Sequence, residues 1–338
     1  MTGATGHLGT ALVQMLLASG ARVRYICRPE SGIPTPDGPA LERWEAPLDE
    51  TERIEQALRG VDVVFHTAAR ISLVDSDWRE LHRVNVEGTR SVLEAAVRAG
   101  VDRFVHVGSV EAFPLALGRY PITERHGIDP DHTILEYGRT KALGIRHVLE
   151  TPTGNTRVVV CCPTALIGPP DYRPSETGRM VQTYLRRRLP ACIDGGFDFM
   201  DVRDAAAALI LAAEHGRNRG LYLLAGCYAS MPQLIELLEQ ESGVQRPLIC
   251  LPLKLVRPLA PAAETFARLT GTPPLITRGT MRIVSLGVRI DASASRRELG
   301  YTTRPLRETV ADTVAWFRRL EARDPATHHD ETGPEFVG

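Results

Sequence analysis

The chain has 338 residues, of which 43% are hydrophobic and 24% charged, and its formal net charge is −1 at pH 7. This composition is typical of a globular protein that can bury a core without disulfides or metals. A charge balance so close to neutral argues against nucleic acid or an anionic membrane surface as a partner.

Four continuous apolar runs in the first half of the chain alternate with segments that carry apolar residues at helical spacing. The runs lie at residues 21–27, 61–66, 103–107 and 157–161, and the helical segments lie at 10–19, 81–99 and 137–149. Continuously apolar strands separated by helices predict a parallel sheet covered on both faces. The expected fold class is therefore α/β, with a Rossmann-type doubly wound parallel sheet.

A glycine-rich loop opens the chain, where residues 2–9 read TGATGHLG and lead into a helix. Gly3, Gly6 and Gly9 permit a tight turn, a close approach of the backbone to a pyrophosphate, and close helix packing. The helix start also offers N–H groups to phosphate oxygens. Glycines at this spacing also mark plain turns, so the loop alone leaves dinucleotide binding and a simple turn as alternatives.

The strand that normally precedes such a loop is almost missing, because only Met1 and Thr2 come before it. We therefore hypothesise that the first strand is truncated and that a few apolar residues encoded upstream complete it, since a gap in a buried sheet leaves ladder groups unpaired. A chain extended in this way is expected to melt at a higher temperature.

Arg28 follows the second predicted strand, where an acidic residue would bind the ribose 2′-hydroxyl of NAD. An arginine in that place can instead meet the 2′-phosphate of NADP, which favours NADP over NAD as the cofactor. An exposed arginine in a turn is the alternative interpretation.

Tyr137 and Lys141 lie one turn apart on a predicted helix and so share a face. Tyrosine has a reference pKa of about 10, and a neighbouring ammonium is expected to lower that pKa. A surface pair on an amphipathic helix is the alternative, but Ser109 ends a predicted strand at the sheet edge where ligands bind. We expect Ser109 to donate a hydrogen bond to a substrate carbonyl while Tyr137 supplies the proton, although a serine there also caps helices and turns.

After about residue 165 the pattern changes to shorter, proline-interrupted elements, with amphipathic helices at 231–242 and 306–319. We predict a dinucleotide-binding domain over residues 1–168 and a smaller C-terminal substrate-binding lobe over most of 169–320, with 198–225 returning to the first domain. Residues 321–338 are predicted to form a disordered tail. The apolar stretch 248–259 suggests an apolar substrate or a peripheral membrane contact, with ordinary packing as the simpler alternative.

Motifs with a fixed order run through most of the chain. They are TGATGHLG at 2–9, FHTAA at 65–69, VNVEGT at 84–89, GSVE at 108–111, YGRTK at 137–141, CPTALIGP at 162–169 and DFMDVRD at 198–204. This set resembles the extended short-chain dehydrogenases/reductases, the NAD-dependent epimerase/dehydratase family, and within it the dihydroflavonol reductase-like and 3β-hydroxysteroid dehydrogenase-like branch. Thr164 stands where sugar-nucleotide members usually carry asparagine, which favours that branch, and Pro47 departs from the aspartate usually found near the adenine.

The resemblance implies a site and a cofactor. Its catalytic residues would be Ser109, Tyr137 and Lys141, with Asn85 in a supporting role. The residues that would bind NADP, or alternatively NAD, are Gly3, Thr5, Gly6, His7, Leu8, Gly9, Arg28, Thr67, Ala68, Tyr137, Lys141, Pro163 and Thr164. The resemblance also implies that a homodimer can form through a four-helix bundle built from the helices at 81–99 and 137–150.

The six cysteines include no C-x-x-C pair, so we expect neither a disulfide framework nor a zinc site. The sequence begins without a signal peptide and contains no run of about 18 apolar residues. We expect a cytoplasmic protein that inserts into no membrane, binds no metal or nucleic acid, and acts on a small molecule.

Three functions are consistent with these features. The leading prediction is a reductase or dehydrogenase that transfers hydride between a nicotinamide cofactor and a ketone or secondary alcohol of a small apolar molecule. A nucleotide-sugar epimerase or dehydratase would use the same residues but consume no cofactor. A non-catalytic dinucleotide-binding protein is the third alternative, and the intact set of serine, tyrosine and lysine argues against it.

Overall fold

The computed structural model describes residues 1–29, 38–72, 77–118, 121–247, 249–253 and 278–323. Strands and helices alternate through the first half of the chain, as the apolar pattern predicts. The strands are β1 (Val23–Cys27), β2 (Leu41–Glu45), β3 (Val63–His66), β4 (Arg103–Val107), β5 (Arg157–Pro163), β6 (Ala165–Ile167), β7 (Cys192–Ile193), β8 (Gly196–Asp201), β9 (Gly220–Leu224), β10 (Cys227–Ser230) and β11 (Cys250–Leu251).

The helices carry their apolar residues at a spacing of three and four. They are α1 (His7–Ala18), α2 (Thr51–Leu58), α3 (Trp78–His82), α4 (Gly88–Arg98), α5 (Glu136–Glu150), α6 (Glu176–Leu185), α7 (Val202–His215), α8 (Met231–Ser242), α9 (Arg278–Leu286), α10 (Ser293–Leu299) and α11 (Leu306–Arg323). A π-helical turn at Arg83–Glu87 joins α3 to α4, so the single helix predicted at 81–99 is in fact interrupted.

All strands of the main sheet run parallel. Strands β3, β4, β5 and β9 pair in that order, and β1 pairs with β2 beyond them. These two groups of strands meet at Thr2, which forms parallel β-bridges with Ile26 of β1 and with His66 of β3. Thr2 thus occupies the central position of the doubly wound order, and its N–H donates to the Phe65 carbonyl at 3.0 Å. The predicted fold class, an α/β Rossmann-type sheet, is confirmed.

Helices cover both faces of this sheet, which explains why its strands are continuously apolar. One face packs on α2, α4 and α5 through a core that includes Leu58, Leu93 and Ile145. The other face packs on α1 and α7 through a core that includes Leu12 and Leu209. Parallel strands whose two faces are both buried leave only their ends accessible, so a ligand can approach at the carboxyl edge.

A smaller set of strands follows the main sheet. Strand β8 pairs with β6 in parallel and with β10 in antiparallel orientation, and β7 pairs with β11. Helices α6, α8 and α11 pack around a third core, which includes Tyr184, Leu234 and Phe317. The DFMDVRD motif links this part to the main sheet. Asp204 of α7 accepts two hydrogen bonds, at 3.0 and 2.8 Å, from the guanidinium of Arg304, which lies just before α11.

The proposed domain boundary at residue 168 stays a prediction. Residues 324–338 of the predicted tail, and position 248 with 254–259 of the apolar stretch, lie outside the described residues. Among the helices that the structure describes, none has the length and apolar character that a membrane crossing requires.

Two buried histidines lie side by side in the main sheet. His66 of β3 and His106 of β4 are register partners, and their rings stack with centroids 5.3 Å apart. His66 is hydrogen-bonded to Thr2 and Thr89, whereas neither ring nitrogen of His106 has a hydrogen-bond partner among the residues that the structure describes. Burial, followed by the charges of Lys141 and His66, lowers the pKa of His106 well below its usual value.

This unpartnered ring makes stability depend on pH. The unfolded chain binds a proton at His106 near pH 6.5 and the folded chain does not, so the stability present above pH 6.5 is lost as the pH falls. We predict that His106→Phe lowers the slope of the unfolding free energy against pH below pH 6.5, by at most about 1.4 kcal/mol per pH unit. Urea titrations at a series of pH values measure this slope. The exposed His215→Gln serves as the control, and an unchanged slope in His106→Phe would contradict the account.

Candidate active site

Three of the predicted catalytic residues meet at the carboxyl edge of the main sheet. Ser109 follows β4, and Tyr137 and Lys141 lie on the face of α5 that packs against this edge. Tyr137 is 7% exposed and Lys141 is 2% exposed, so neither belongs to a surface pair. An ionisable lysine and a phenol buried together in this way are rare without a functional reason.

Ser109 both caps a turn and contacts the tyrosine. Its Oγ accepts a hydrogen bond from the Glu111 N–H at 3.2 Å at the start of the 3₁₀ turn Val110–Ala112. The same hydroxyl lies close enough to the Tyr137 phenol to oppose the rise in its pKa. The capping role that was the alternative interpretation of Ser109 therefore occurs together with a place beside the phenol, and the predicted hydrogen bond to a substrate stays a prediction.

The pKa of Tyr137 moves in the direction opposite to the one predicted. Burial raises it first, the negative charge of Glu111 raises it further, and the Ser109 hydrogen bond opposes both effects. The Lys141 ammonium donates to the Val107 carbonyl at 2.6 Å, and burial lowers its own pKa to about 8. The expected lowering of the Tyr137 pKa does not occur here, because burial of the phenol is the largest influence on it.

Asn85 connects the loop after β3 to helix α5. It lies in the π-helical turn, and its side chain accepts from the Arg70 N–H at 2.8 Å and donates to the Arg70 carbonyl at 2.9 Å. The same amide donates to Thr140 Oγ1 at 3.0 Å, between Tyr137 and Lys141 on α5. Asn85 therefore positions the helix that carries the pair, and π-helical turns are common at such functional sites.

Glu111 is a site residue whose role the sequence did not reveal. Its Oε2 atom is buried and has no hydrogen-bond partner in the described part of the chain, and burial raises the pKa of its carboxyl to about 7. The only signal in the sequence is an acidic residue two positions after Ser109, which is equally typical of a solvated turn. The carboxyl adds an ionisable group beside Tyr137 that is neutral over part of the physiological pH range.

The glycine loop has the shape that a pyrophosphate requires. Gly3 has φ +72°, and a Cβ there would lie 2.4 Å from the Ala68 nitrogen, while a Cβ on Gly9 would lie 2.0 Å from the Gly3 carbonyl oxygen. A Cβ on Gly6 would meet only that oxygen, at 3.4 Å, so open space lies over the loop. Helix α1 begins after Gly6 without a side-chain cap, which leaves its first N–H groups for an anion. These residues fit a dinucleotide.

The other predicted cofactor residues are placed around this loop. His7 Nε2 is hydrogen-bonded to the Gly168 carbonyl at 2.7 Å, so its side chain connects the loop to the end of β6. Thr67 Oγ1 donates to the Thr2 carbonyl, and Thr164 Oγ1 donates to the buried Asp198 carboxylate at 2.7 Å. These three side chains shape the crevice through protein contacts, and any contact with a dinucleotide stays a prediction.

The remaining residues of the predicted cofactor-binding set differ in burial and in position. The Leu8 side chain is buried in the core, and only its backbone faces the turn. Pro163 ends β5, and Arg28 follows β1 in an exposed position. Thr5 lies within the glycine loop and Ala68 follows β3, next to Gly3.

Known proteins resemble the chain over nearly its whole length. Residues 1–225 match the model of the NAD dependent epimerase/dehydratase family. Sterol demethylase protein B of Methylococcus capsulatus is 37% identical over 321 residues, which cover 94% of this chain and 97% of that protein. A Synechocystis protein placed by its name among the dihydroflavonol 4-reductases is 30% identical over 322 residues, with 94% of both chains covered. The crystal structure of gox2253 superimposes with a TM-score of 0.80 at 31% identity, covering 94% of this chain and 97% of that one.

Proposed function

Because the chain belongs to the NAD-dependent epimerase/dehydratase family, as its motifs indicate, we propose that it is an NADP-dependent oxidoreductase acting on a ketone or secondary alcohol. The observation that carries this proposal is the convergence of Ser109, Tyr137 and Lys141, all buried, beside a glycine loop that fits a dinucleotide. A protein that only binds a dinucleotide would have no use for a phenol and an ammonium removed from water at that edge.

The roles of the side chains follow from their chemistry. A bound nicotinamide would supply or accept the hydride. In ketone reduction Ser109 donates a hydrogen bond to the substrate carbonyl oxygen, and Tyr137 donates its proton to the same oxygen. The raised pKa of Tyr137 keeps the phenol protonated, which is the form that reduction needs. Lys141 donates to the Val107 carbonyl and carries its charge one helical turn from Tyr137. Asn85 fixes the helix that presents Tyr137 and Lys141.

The substrate we propose is a small apolar molecule, such as a polycyclic alcohol of the sterol type. Ile71 and Leu117 are 60% and 43% exposed and lie on the segments that follow β3 and β4 at the carboxyl edge. Large apolar side chains left in water on the segments that leave this edge favour an apolar ligand. The relative named sterol demethylase protein B supports the same class.

Arg28 is the basis for preferring NADP over NAD, and its replacement tests that choice. A charged hydrogen bond to the 2′-phosphate contributes about 1.5–3 kcal/mol, so we expect Arg28→Ser to raise the KM for NADPH by about 10- to 100-fold. The KM for NADH should change little. Arg22→Ser, at the opposite end of β1, is the matched control. Equal effects of Arg28→Ser on both cofactors would remove the preference for NADP.

The alternative function is a nucleotide-sugar epimerase or dehydratase, which the family name also covers. Thr164 argues against it, because its hydroxyl is engaged with Asp198 and sugar-nucleotide enzymes of this family usually carry asparagine there. We further propose a cytoplasmic location, and a homodimer built through α4 and α5, which the resemblance implies.

A panel of ketones and secondary alcohols, including 3β-hydroxysteroids, tests the proposed function when each is incubated with NADPH, NADP⁺, NADH or NAD⁺. We expect a change in the absorbance of the reduced nicotinamide with at least one apolar member of the panel. Conversion of a nucleotide sugar without net change in cofactor would instead establish the alternative.

A further inference from the structure

A pair of cysteines lies outside the candidate active site, in the two-stranded ladder formed by β7 and β11. Cys192 and Cys250 are direct register partners in this parallel pair. Backbone hydrogen bonds join the two strands on either side of Cys250. The Cys192 N–H donates to the Ile249 carbonyl at 3.0 Å, and the Asp194 N–H donates to the Leu251 carbonyl at 3.1 Å. Neighbouring strands lie about 4.7–4.9 Å apart, which is within the Cα separation of about 4.4–6.8 Å found in disulfides.

The two thiols face each other. The Cys192 thiol donates to the Ile193 carbonyl, with 3.6 Å between sulfur and oxygen. Register partners in a parallel ladder present their side chains to the same side of the sheet, which places the Cys250 side chain in contact with that of Cys192. Burial, followed by this contact, raises the pKa of Cys192 to about 12. Cys192 is buried whereas Cys250 is exposed, so an oxidant in water reaches Cys250 first.

We propose that Cys192 and Cys250 form a site of reversible thiol oxidation, at which a peroxide converts the two free thiols into a disulfide. Hydrogen peroxide first oxidises the Cys250 thiol to a sulfenic acid and releases one water. The Cys192 sulfur then attacks the Cys250 sulfur, the S–S bond forms, the S–O bond breaks, and a second water leaves. In sum the two thiols lose two electrons and two protons, and the peroxide is reduced to two waters. A dithiol reductant reverses the change.

The position of the pair gives the disulfide a structural consequence. Ile193, Leu251 and Leu253 pack with Met281 of α9, so the ladder anchors that helix. A disulfide between residues so distant in sequence restricts the unfolded chain, which stabilises the folded state. We expect oxidation to raise the Tm by several degrees, on the order of 5 °C.

The other cysteines provide the controls. Cys27, Cys161 and Cys162 are buried in the cores of the main sheet. Cys227 is exposed like Cys250, but its register partner in the ladder with β8 is Phe199. Cys227→Ser is therefore the matched control for Cys250→Ser, because each removes one exposed thiol from a short strand.

The test is a titration of the full chain with hydrogen peroxide, followed by alkylation of free thiols and peptide mapping by mass spectrometry. We expect one disulfide that joins Cys192 to Cys250, complete reversal by dithiothreitol, and a Tm increase on oxidation. Cys192→Ser and Cys250→Ser should each abolish the disulfide and the Tm increase, whereas Cys227→Ser should keep both. Oxidation of Cys250 to sulfinic acid while Cys192 stays alkylatable, or a disulfide that maps elsewhere, would overturn the proposal.

Discussion

Replacement of Tyr137 by phenylalanine is expected to lower kcat for ketone reduction by about 10²- to 10⁴-fold, the usual contribution of a positioned general acid. The variant keeps the buried ring and loses only the hydroxyl. Folding should therefore stay close to that of the unaltered protein, and the affinity for NADPH, which Tyr137 is predicted to contact, is followed as a property of its own. Steady-state kinetics, a thermal melt and a titration with NADPH measure the three properties separately.

Tyr184→Phe is the matched control for this variant. Tyr184 is also buried, and its hydroxyl donates to the backbone carbonyl of Val244, far from the carboxyl edge of the main sheet. We expect that change to reduce stability by about 1 kcal/mol and to leave kcat unaltered. A Tyr137→Phe protein with full kcat would show that the phenol is not the proton donor.

Gly9→Ala is expected to have the largest effect on cofactor binding. The added Cβ would lie 2.0 Å from the Gly3 carbonyl oxygen and 2.8 Å from the Ala4 Cα, so helix α1 or the loop must shift. Overpacking against backbone destabilises a protein by about 1–3 kcal/mol or more, and a displaced loop no longer presents its N–H groups together. We expect a lower Tm and loss of measurable NADPH binding by fluorescence titration.

Gly6→Ala separates the effect of this loop on stability from its effect on cofactor binding. Its Cβ would have an ordinary contact of 3.4 Å with the Gly3 carbonyl oxygen and none other within 4 Å in the described structure, so the Tm should stay unchanged. The methyl group does enter the open space over the loop, and NADPH affinity should fall. Unchanged Tm and affinity in Gly9→Ala would mean that the loop is neither tightly packed nor a binding element.

The main sheet could be predicted from the sequence because its strands are buried on both faces. The run at 103–107 matches β4 residue for residue, and β5 extends the predicted run by two residues. Strand β2 was not predicted, because its side chains are mostly exposed at the edge of the sheet and its sequence, LERWE, lacks a continuous apolar run. The ladders of β7 with β11 and of β8 with β10 depend on pairing between distant short segments, which local periodicity does not record.

The candidate site, too, could be predicted from the sequence only in part. Tyr137, Lys141 and Ser109 could be identified because spacing and position at a strand end are local features of the sequence. The raised pKa of Tyr137 and the unpartnered carboxyl of Glu111 could not, since both result from burial in the folded protein. The π-helical turn that holds Asn85 is likewise a result of packing against α5, where a Cβ at Gly144 would lie 2.6 Å from the Asn85 carbonyl oxygen.

Transfer of deuterium from NADPH that carries deuterium at both C4 positions of the nicotinamide tests the central claim most directly. With an apolar ketone as substrate, the account predicts one deuterium on the carbinol carbon of the product for each NADPH consumed, and transfer by Tyr137→Phe that is slower by about 10²- to 10⁴-fold. A product without deuterium, or turnover of substrate while the NADPH concentration stays constant, would contradict it.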